Sequence, residues 1–286
     1  MRWPSSWRER SPSAARVSDG VILVDKPAGI TSAGVVAQIR RGSERGVKVG
    51  HAGTLDPFAT GLLLILVGRA TRVQRFLMAL PKRYEVTARF GARSSTGDPE
   101  GEIVHTGFVP AGDLKLPTGV VRQRPPAYSA VKVGGRRAYA LARAGVATSL
   151  AERDVEIYRF EERWRDGDRR GFAIECSSGT YVRSLIAALG DAYCEELRRT
   201  AIGSFEVRDA DPDLTIPLEQ ALGFLPELRL DPEQARRASH GATVRLRTGS
   251  AAQNAVIRLT DGEGLIALAQ PRSAGRELKP IVGFRG

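Results

Sequence analysis

The sequence predicts a mixed α and β (α+β) protein, one long domain followed by a short β-rich module. Two observations predict it. Apolar segments of strand length, some with period-two alternation, recur between stretches of helical character. Near the end, "AVIRLTDGEGLIALAQ" reads as two apolar runs joined by an Asp-Gly turn, a hairpin signal. The 286 residues, 42% hydrophobic and 26% charged, suffice for a large domain plus a small one with a sizeable core.

In order, "MRWPSSWRERSPSAARVSDG" is rich in Arg and Ser, poor in acids and interrupted by Pro4 and Pro12. It is expected to be a disordered, basic, RNA-friendly tail over residues 1–19. "VILV" reads as a strand ending at "DKPAGITS", with Ser32 as N-cap of a helix through Arg40. "GLLLILVG" reads as a buried strand. Its apolar run, Leu62 to Val67, is far short of the roughly 18 residues a membrane helix needs. A helix is expected around residues 70–80, then the alternating strand "RYEVTARFG" and the polar turn "SSTGDPEG". "QRPPAYSAVKVGGRRAYALARAG" runs extended, turns at Gly134-Gly135 and enters a helix. "DVEIYRF" and "FAIEC" read as strands, and "YVRSLIAALGDAY" as a helix. A looser stretch follows "PLEQALG" and leads to the hairpin, in a module running from about Leu230.

The formal net charge of +11 and pI near 10.2 favour a polyanionic partner, nucleic acid first and an acidic membrane surface second. Only six of the 43 basic residues are lysines, and arginine suits bidentate phosphate contacts. Cys176 and Cys194 form no CxxC pair, which fits a reducing compartment. His51, His105 and His240 keep no recognised metal spacing, and GxGxxG, P-loop and GxSxG motifs are absent. Catalysis, if any, falls to carboxylates, hydroxyls and arginines. The rival class is a basic RNA-binding or tRNA-folding protein without essential catalysis.

Two charges stand out. Asp56, in "GHAGTLDPFATGLLLILVG", lies at the mouth of the apolar run: either an Asx-turn before Pro57 or a carboxylate with work to do. Arg183 falls in the first turn of the predicted helix, where a cation opposes the dipole at a cost of about 0.3–1 kcal/mol. A carboxylate or phosphate is therefore expected beside it.

"GHAGTLDPFATGLL" resembles the signature of the TruB family of tRNA pseudouridine synthases, GH-x-G-x-LDP-x-ATG-x-L. "DKPAGITS", "KRYEV", "TGDPEGEIV", "PPAYSAVKVGG" with "AYALARAG", and "SSGTYVRSL" with "LRRTAIGSF" agree in order, so the resemblance spans about Val21 to Val207. It implies a mainly antiparallel sheet with flanking helices over 20–228 and a PUA-like RNA-binding module over 229–286. The implied activity turns the T-loop uridine, position 55 of tRNA, into pseudouridine. The uracil is detached at N1, turned and rejoined through C5, with no cofactor and no metal. A cytoplasmic monomer acting on the tRNA T-arm is expected; a synthase for another RNA is the second enzymatic alternative.

The resemblance also assigns roles. Asp56 becomes the catalytic carboxylate, and Arg183 its partner, keeping it ionised by lowering its pKa. Tyr84 stacks on the uracil and assists proton transfer, Tyr181 joins the pocket, and Leu197 forms an apolar wall. Without the resemblance these three read as core residues. His51, on a flexible backbone, fills the space the uridine vacates. Lys26 serves phosphate or local structure, and Asp98 helps organise bound RNA. The chain departs from the family in three places. Ser94 and Ser95 replace the first two letters of TDT, Ala52 stands where threonine is common, and 105–123 reads as a shortened, helix-free insertion.

Overall fold

A computed structural model describes residues 19–126, 132–133, 135–137, 146, 150–246, 250–252 and 255–285. The tail 1–18 and the helix expected after Gly135 lie outside the described residues. The first strands are β1 (Gly20–Lys26), β2 (Val49–His51), β3 (Thr60–Val67), β4 (Lys82–Phe90), β5 (Ala92–Ser94), β6 (Ile103–His105) and β7 (Gly119–Gln123). They are followed by β8 (Lys132–Val133), β9 (Arg136–Arg137), β10 (Arg153–Asp166), β11 (Arg169–Cys176), β12 (Ala192–Ile202), β13 (Phe205–Glu206) and β14 (Thr215–Pro217). Ten of these form one sheet in the order β14-β1-β3-β12-β4-β11-β10-β7, with β2 on β3 and β13 on β12. All its pairings are antiparallel except β3 with β12, where Thr60 and Gly61 lie beside Arg198 and Arg199. β5–β6 and β8–β9 are separate hairpins, the second turning around Gly135.

Period-two geometry explains why β3 is apolar from Leu62 to Val67. Leu62, Leu64 and Leu66 enter one core cluster, while Leu63, Ile65 and Val67 enter another on the opposite face. Helix α1 (Ser32–Gly42) covers the second face with Val35, Val36 and Ile39. On β4, Tyr84, Val86, Ala88 and Phe90 point into a third cluster with β10, β11, β12 and helix α3. That helix spans Val182–Ala187; α2 spans Gln74–Ala79 and α4 Leu218–Ala221.

A second sheet has the order β15-β17-β18-β19-β16. Its strands are β15 (Glu227–Arg229), β16 (Val244–Arg245), β17 (Ile257–Asp261), β18 (Gly264–Arg272) and β19 (Glu277–Gly283). β17 and β18 are the hairpin expected around Asp261-Gly262, and β15 lies across the 228/229 boundary. Helix α5 (Pro232–Ser239) packs Ala235 and Ala238 beneath this sheet, with Asp231 Oδ1 accepting from the Gln234 N–H at 2.9 Å. Leu268, Val282 and Phe284 join the cluster of Leu66, Val73 and Leu77, so the two sheets share a core. Arg69 and Arg72 reinforce the contact by donating to the carbonyls of Phe284 and Gly283.

Four expectations change. Thr31, not Ser32, caps α1: its Oγ1 accepts from the Gly34 N–H at 3.0 Å, while Ser32 turns inward. The helix at 70–80 is a 3-10 turn (Gly68–Val73) running into α2. The helix read over "YVRSLIAALGDAY" stops at Ala187, three residues ahead of Gly190 (φ 136°), and Tyr193 lies in β12. The looser stretch contains α5. Among the described residues no helix is long and apolar enough to cross a membrane. The described residues 103–126 hold β6 and β7 and no helix.

Candidate active site

Asp56 sits in the loop between β2 and β3, pinned on both sides. Ser32 Oγ accepts the Leu55 N–H at 2.9 Å and donates to the Leu55 carbonyl at 3.1 Å. On the other side the Pro57 carbonyl accepts from the Gly29 N–H at 2.8 Å and from Lys26 Nζ at 3.2 Å. Leu55 and Ala59 anchor this loop on the cluster containing Tyr84 and Leu197. Pinned backbone and buried neighbours fix the carboxylate's position before any ligand arrives.

Arg183 reaches this loop from the first turn of α3, as its place against the helix dipole demands. Its Nε lies 2.9 Å from Asp56 Oδ2 and its Nη1 lies 2.9 Å from Asp98 Oδ2. The side chains of Arg183 and Asp98 are only 4% and 6% exposed, whereas that of Asp56 is 33% exposed. One buried guanidinium thus joins a closed carboxylate to one with an open face. Nη1 also donates to the Thr96 carbonyl at 2.5 Å.

Charge here differs from expectation. Burial pushes the Asp56 carboxyl above its ordinary range; Arg183 pulls it down, Asp98 pushes it up, and Lys26 pulls it down. Arg183 lowers the value, as expected of it, but burial outweighs it.

Asp98 lies in the polar turn read from the sequence, with its side chain turned inward. It is buried in the β5–β6 turn, where Oδ1 accepts from Thr96 Oγ1 at 2.5 Å and from the Glu100 N–H at 3.1 Å. With Oδ2 on Arg183, both of its oxygens are bonded within the site. Lys26 is fully buried, and Nζ donates to the Pro27, Ile30 and Pro57 carbonyls at 2.9, 2.8 and 3.2 Å. Burial lowers its pKa to about 8, and its three bonds all go to backbone carbonyls of the loops around Asp56.

Tyr84 is buried on β4 beside the guanidinium of Arg199, and Leu197 lies in the same apolar cluster. Burial raises the Tyr84 hydroxyl's pKa while Arg199 opposes the shift. Tyr181 precedes α3; its N–H donates to Gln123 Oε1 at 2.8 Å and its carbonyl accepts from Gln123 Nε2 at 2.9 Å. The Arg153 guanidinium lies 4.9 Å from its ring centroid. His51 is half-buried at the end of β2, paired to β3 opposite Ile65, with its carbonyl accepting from Gln74 Nε2 at 2.6 Å. It lies in a strand, not on the flexible backbone expected.

The site therefore gathers Asp56, Arg183, Asp98, Lys26 and Tyr84, with Leu197 in the adjoining core. Arg199, Gln123 and Ser32 complete it, and sequence reasoning missed these roles. Only Arg199 left a trace: strand alternation in "LRRTAI" turns one of its two arginines inward. Among the described residues no group of three or more His, Cys, Asp or Glu could hold a metal ion. The chemistry on offer is a half-open carboxylate on an apolar, aromatic floor, backed by buried cations.

Comparison with known proteins places that fold in the pseudouridine synthase class. A model of the TruB family pseudouridylate synthase (N terminal domain) matches residues 40–182. The tRNA pseudouridine synthase B of Thermobifida fusca (strain YX) is 39% identical, covering 94% of this chain and all of that protein. Its namesake in Mycobacterium tuberculosis (strain H37Rv) is 41% identical over 79% of this chain and 84% of its own. Among solved structures, a Cbf5-Nop10-Gar1 complex superposes with a TM-score of 0.68 at 26% identity, covering 97% of this chain and 87% of that one. An H/ACA RNP bound to a substrate RNA containing 2'-deoxyuridine gives 0.70 at 23% identity, covering 94% and 86%, a likeness of fold. The chain belongs to the TruB family and is an enzyme of the pseudouridine synthase kind.

Proposed function

We propose that this chain converts the T-loop uridine at position 55 of tRNA to pseudouridine, with Asp56 as the nucleophile. The observation that carries the reading is the half-open Asp56 carboxylate held at 2.9 Å by buried Arg183. The relatives named tRNA pseudouridine synthase B support the substrate class, and the net charge of +11 suits a tRNA phosphate backbone. In this reading the uridine leaves the RNA stack and its base rests against Tyr84 and Leu197. Asp56 supplies the electron pair that lets the N1–C1′ bond break. The uracil turns, C5 bonds to C1′ as the bond to Asp56 breaks, the C5 proton is lost to water and N1 takes up a proton. One proton lost at C5 is matched by one gained at N1 with no net change in electrons, so the isomerisation calls for no redox partner or group donor. The chain acts as a cytoplasmic monomer in the same reading.

Tritium release from tRNA carrying [5-³H]uridine tests it. Release is expected from a tRNA or isolated T-arm hairpin and is lost when uridine 55 is replaced by cytidine. Undiminished release from the replaced RNA overturns the position, and a chain that binds tRNA but releases nothing is an RNA-binding protein.

A further inference from the structure

The cations around Asp56 are not equivalent. Arg183 has two carboxylates, and Lys26 has three backbone carbonyls. Arg199 is among the largest fully buried side chains, 2% exposed, and among the described residues no carboxylate pairs with it. Its Nε donates to the Leu62 carbonyl at 2.8 Å, Nη2 to Gly53 at 3.1 Å and Nη1 to Thr54 at 3.4 Å. Tyr84 stands directly opposite Arg199 across the β4–β12 pairing, and the guanidinium draws the Tyr84 hydroxyl's pKa down against burial. Burying a cation among neutral acceptors is costly, and carbonyl contacts alone are a weak return for it. A neutral residue would staple the loop at less expense.

The backbone is built around this side chain. Arg199 lies opposite Tyr84 on β4 and beside Gly61 on β3, and a bulge follows it before Ala201. Gly61 has φ 101°, and a Cβ there would stand 2.2 Å from the Arg199 carbonyl oxygen. The close approach brings the guanidinium beneath the Gly53–Thr54 segment, two residues ahead of Asp56.

We propose that Arg199 is a positioning residue for the isomerisation: its fork fixes the Tyr84 phenol oxygen and the Gly53–Thr54 approach to Asp56 in one frame. Its unpaired charge stands behind both groups and favours electron density on Asp56 and the phenol. The inference rests on the function proposed above. Asp56 is then faced by Arg183 from α3, Asp98 from the β5–β6 turn, Lys26 from β1, Arg199 from β12 and the Tyr84 hydroxyl from β4.

The test is single-turnover tritium release at saturating tRNA by wild type, Arg199→Lys, Arg199→Gln, Tyr84→Phe and Arg199→Lys/Tyr84→Phe, with tRNA Kd and Tm measured for each. Both single Arg199 variants are expected to keep Kd within about threefold and to lose about ten- to a hundredfold in rate. In the Tyr84→Phe background Arg199→Lys should cost at least about threefold less than it does in wild type, because one of the two groups it holds is gone. Arg199→Gln should move the acid limb of the rate to higher pH, and Arg199→Lys, which keeps the charge, should leave it in place. Should Arg199→Gln fail to fold, Arg199→Lys carries the double-mutant comparison alone. Wild-type rates in the single variants overturn the proposal. So do equal losses in both backgrounds with a lowered Tm, the mark of a structural staple. A wild type that releases no tritium overturns the function reading, and this inference with it.

Discussion

Asp56 is exposed on one side and pressed by buried charge on the other, and its protonation follows from that balance. Burial raises its pKa more than Arg183 and Lys26 lower it. An attacking carboxylate must be ionised, so activity disappears as pH falls through that raised value. The acid limb of single-turnover rate against pH is therefore expected above the ordinary carboxylate value of about 3.9. Lys26→Met, which removes a cation facing Asp56, should move it higher still. A limb at or below the ordinary value in wild type contradicts this electrostatic account. The same linkage sets a sign for stability. A carboxyl whose folded pKa is raised favours folding while protonated, and that contribution is lost as pH rises through the folded value. The Asp56 and Arg183 pair was legible locally, one charge at the mouth of an apolar run and the other against a helix dipole. Gln123 was not, and of Arg199 only the inward turn of one arginine in "LRRTAI" could be read, not its partners. Their partners are backbone groups and side chains distant in sequence, and no local pattern records such bonds.

The central element is the β3–β12 junction, where a short parallel contact forces two backbones together at Gly61. Gly61→Ala would add both a left-handed backbone penalty and a collision with Arg199. A loss of more than about 2 kcal/mol is expected, read as a lowered Tm with activity falling alongside. Gly46 also has a positive φ (90°), but its surroundings are open. Gly46→Ala should cost only about 1 kcal/mol, and equal losses at the two positions would refute the close-approach argument. β3 was readable because both its faces are buried and every position from Leu62 to Val67 is apolar. β12 was hidden because Glu195, Glu196, Arg198 and Arg199 interrupt its alternation and two bulges shift its register. The overlong helix read at "YVRSLIAALGDAY" has the same source: a helical apolar spacing continued past Gly190 into residues whose partners on β4 lie about a hundred positions away.

Across the whole molecule the two sheets share one apolar cluster, with Phe284 of the C-terminal segment packed against residues of the first sheet and its flanking helices. Such continuity predicts cooperative unfolding. Scanning calorimetry should show one transition for the wild type and for Phe284→Ala, the latter about 3 kcal/mol less stable. Two resolved transitions in the wild type would mean that the sheets unfold independently. Mixed strands, the late hairpin and the basic charge were visible in composition and periodicity. The shared core was not, because it joins residues more than 200 positions apart. The claim on which all scales converge is that tRNA is bound by the basic chain as a whole and converted by one carboxylate. Asp56→Asn separates the two most directly. Measured side by side with wild type on [5-³H]uridine tRNA, it is expected to hold Kd within about threefold while tritium release falls more than about a thousandfold. Release at a near wild-type rate from the folded variant would contradict the account.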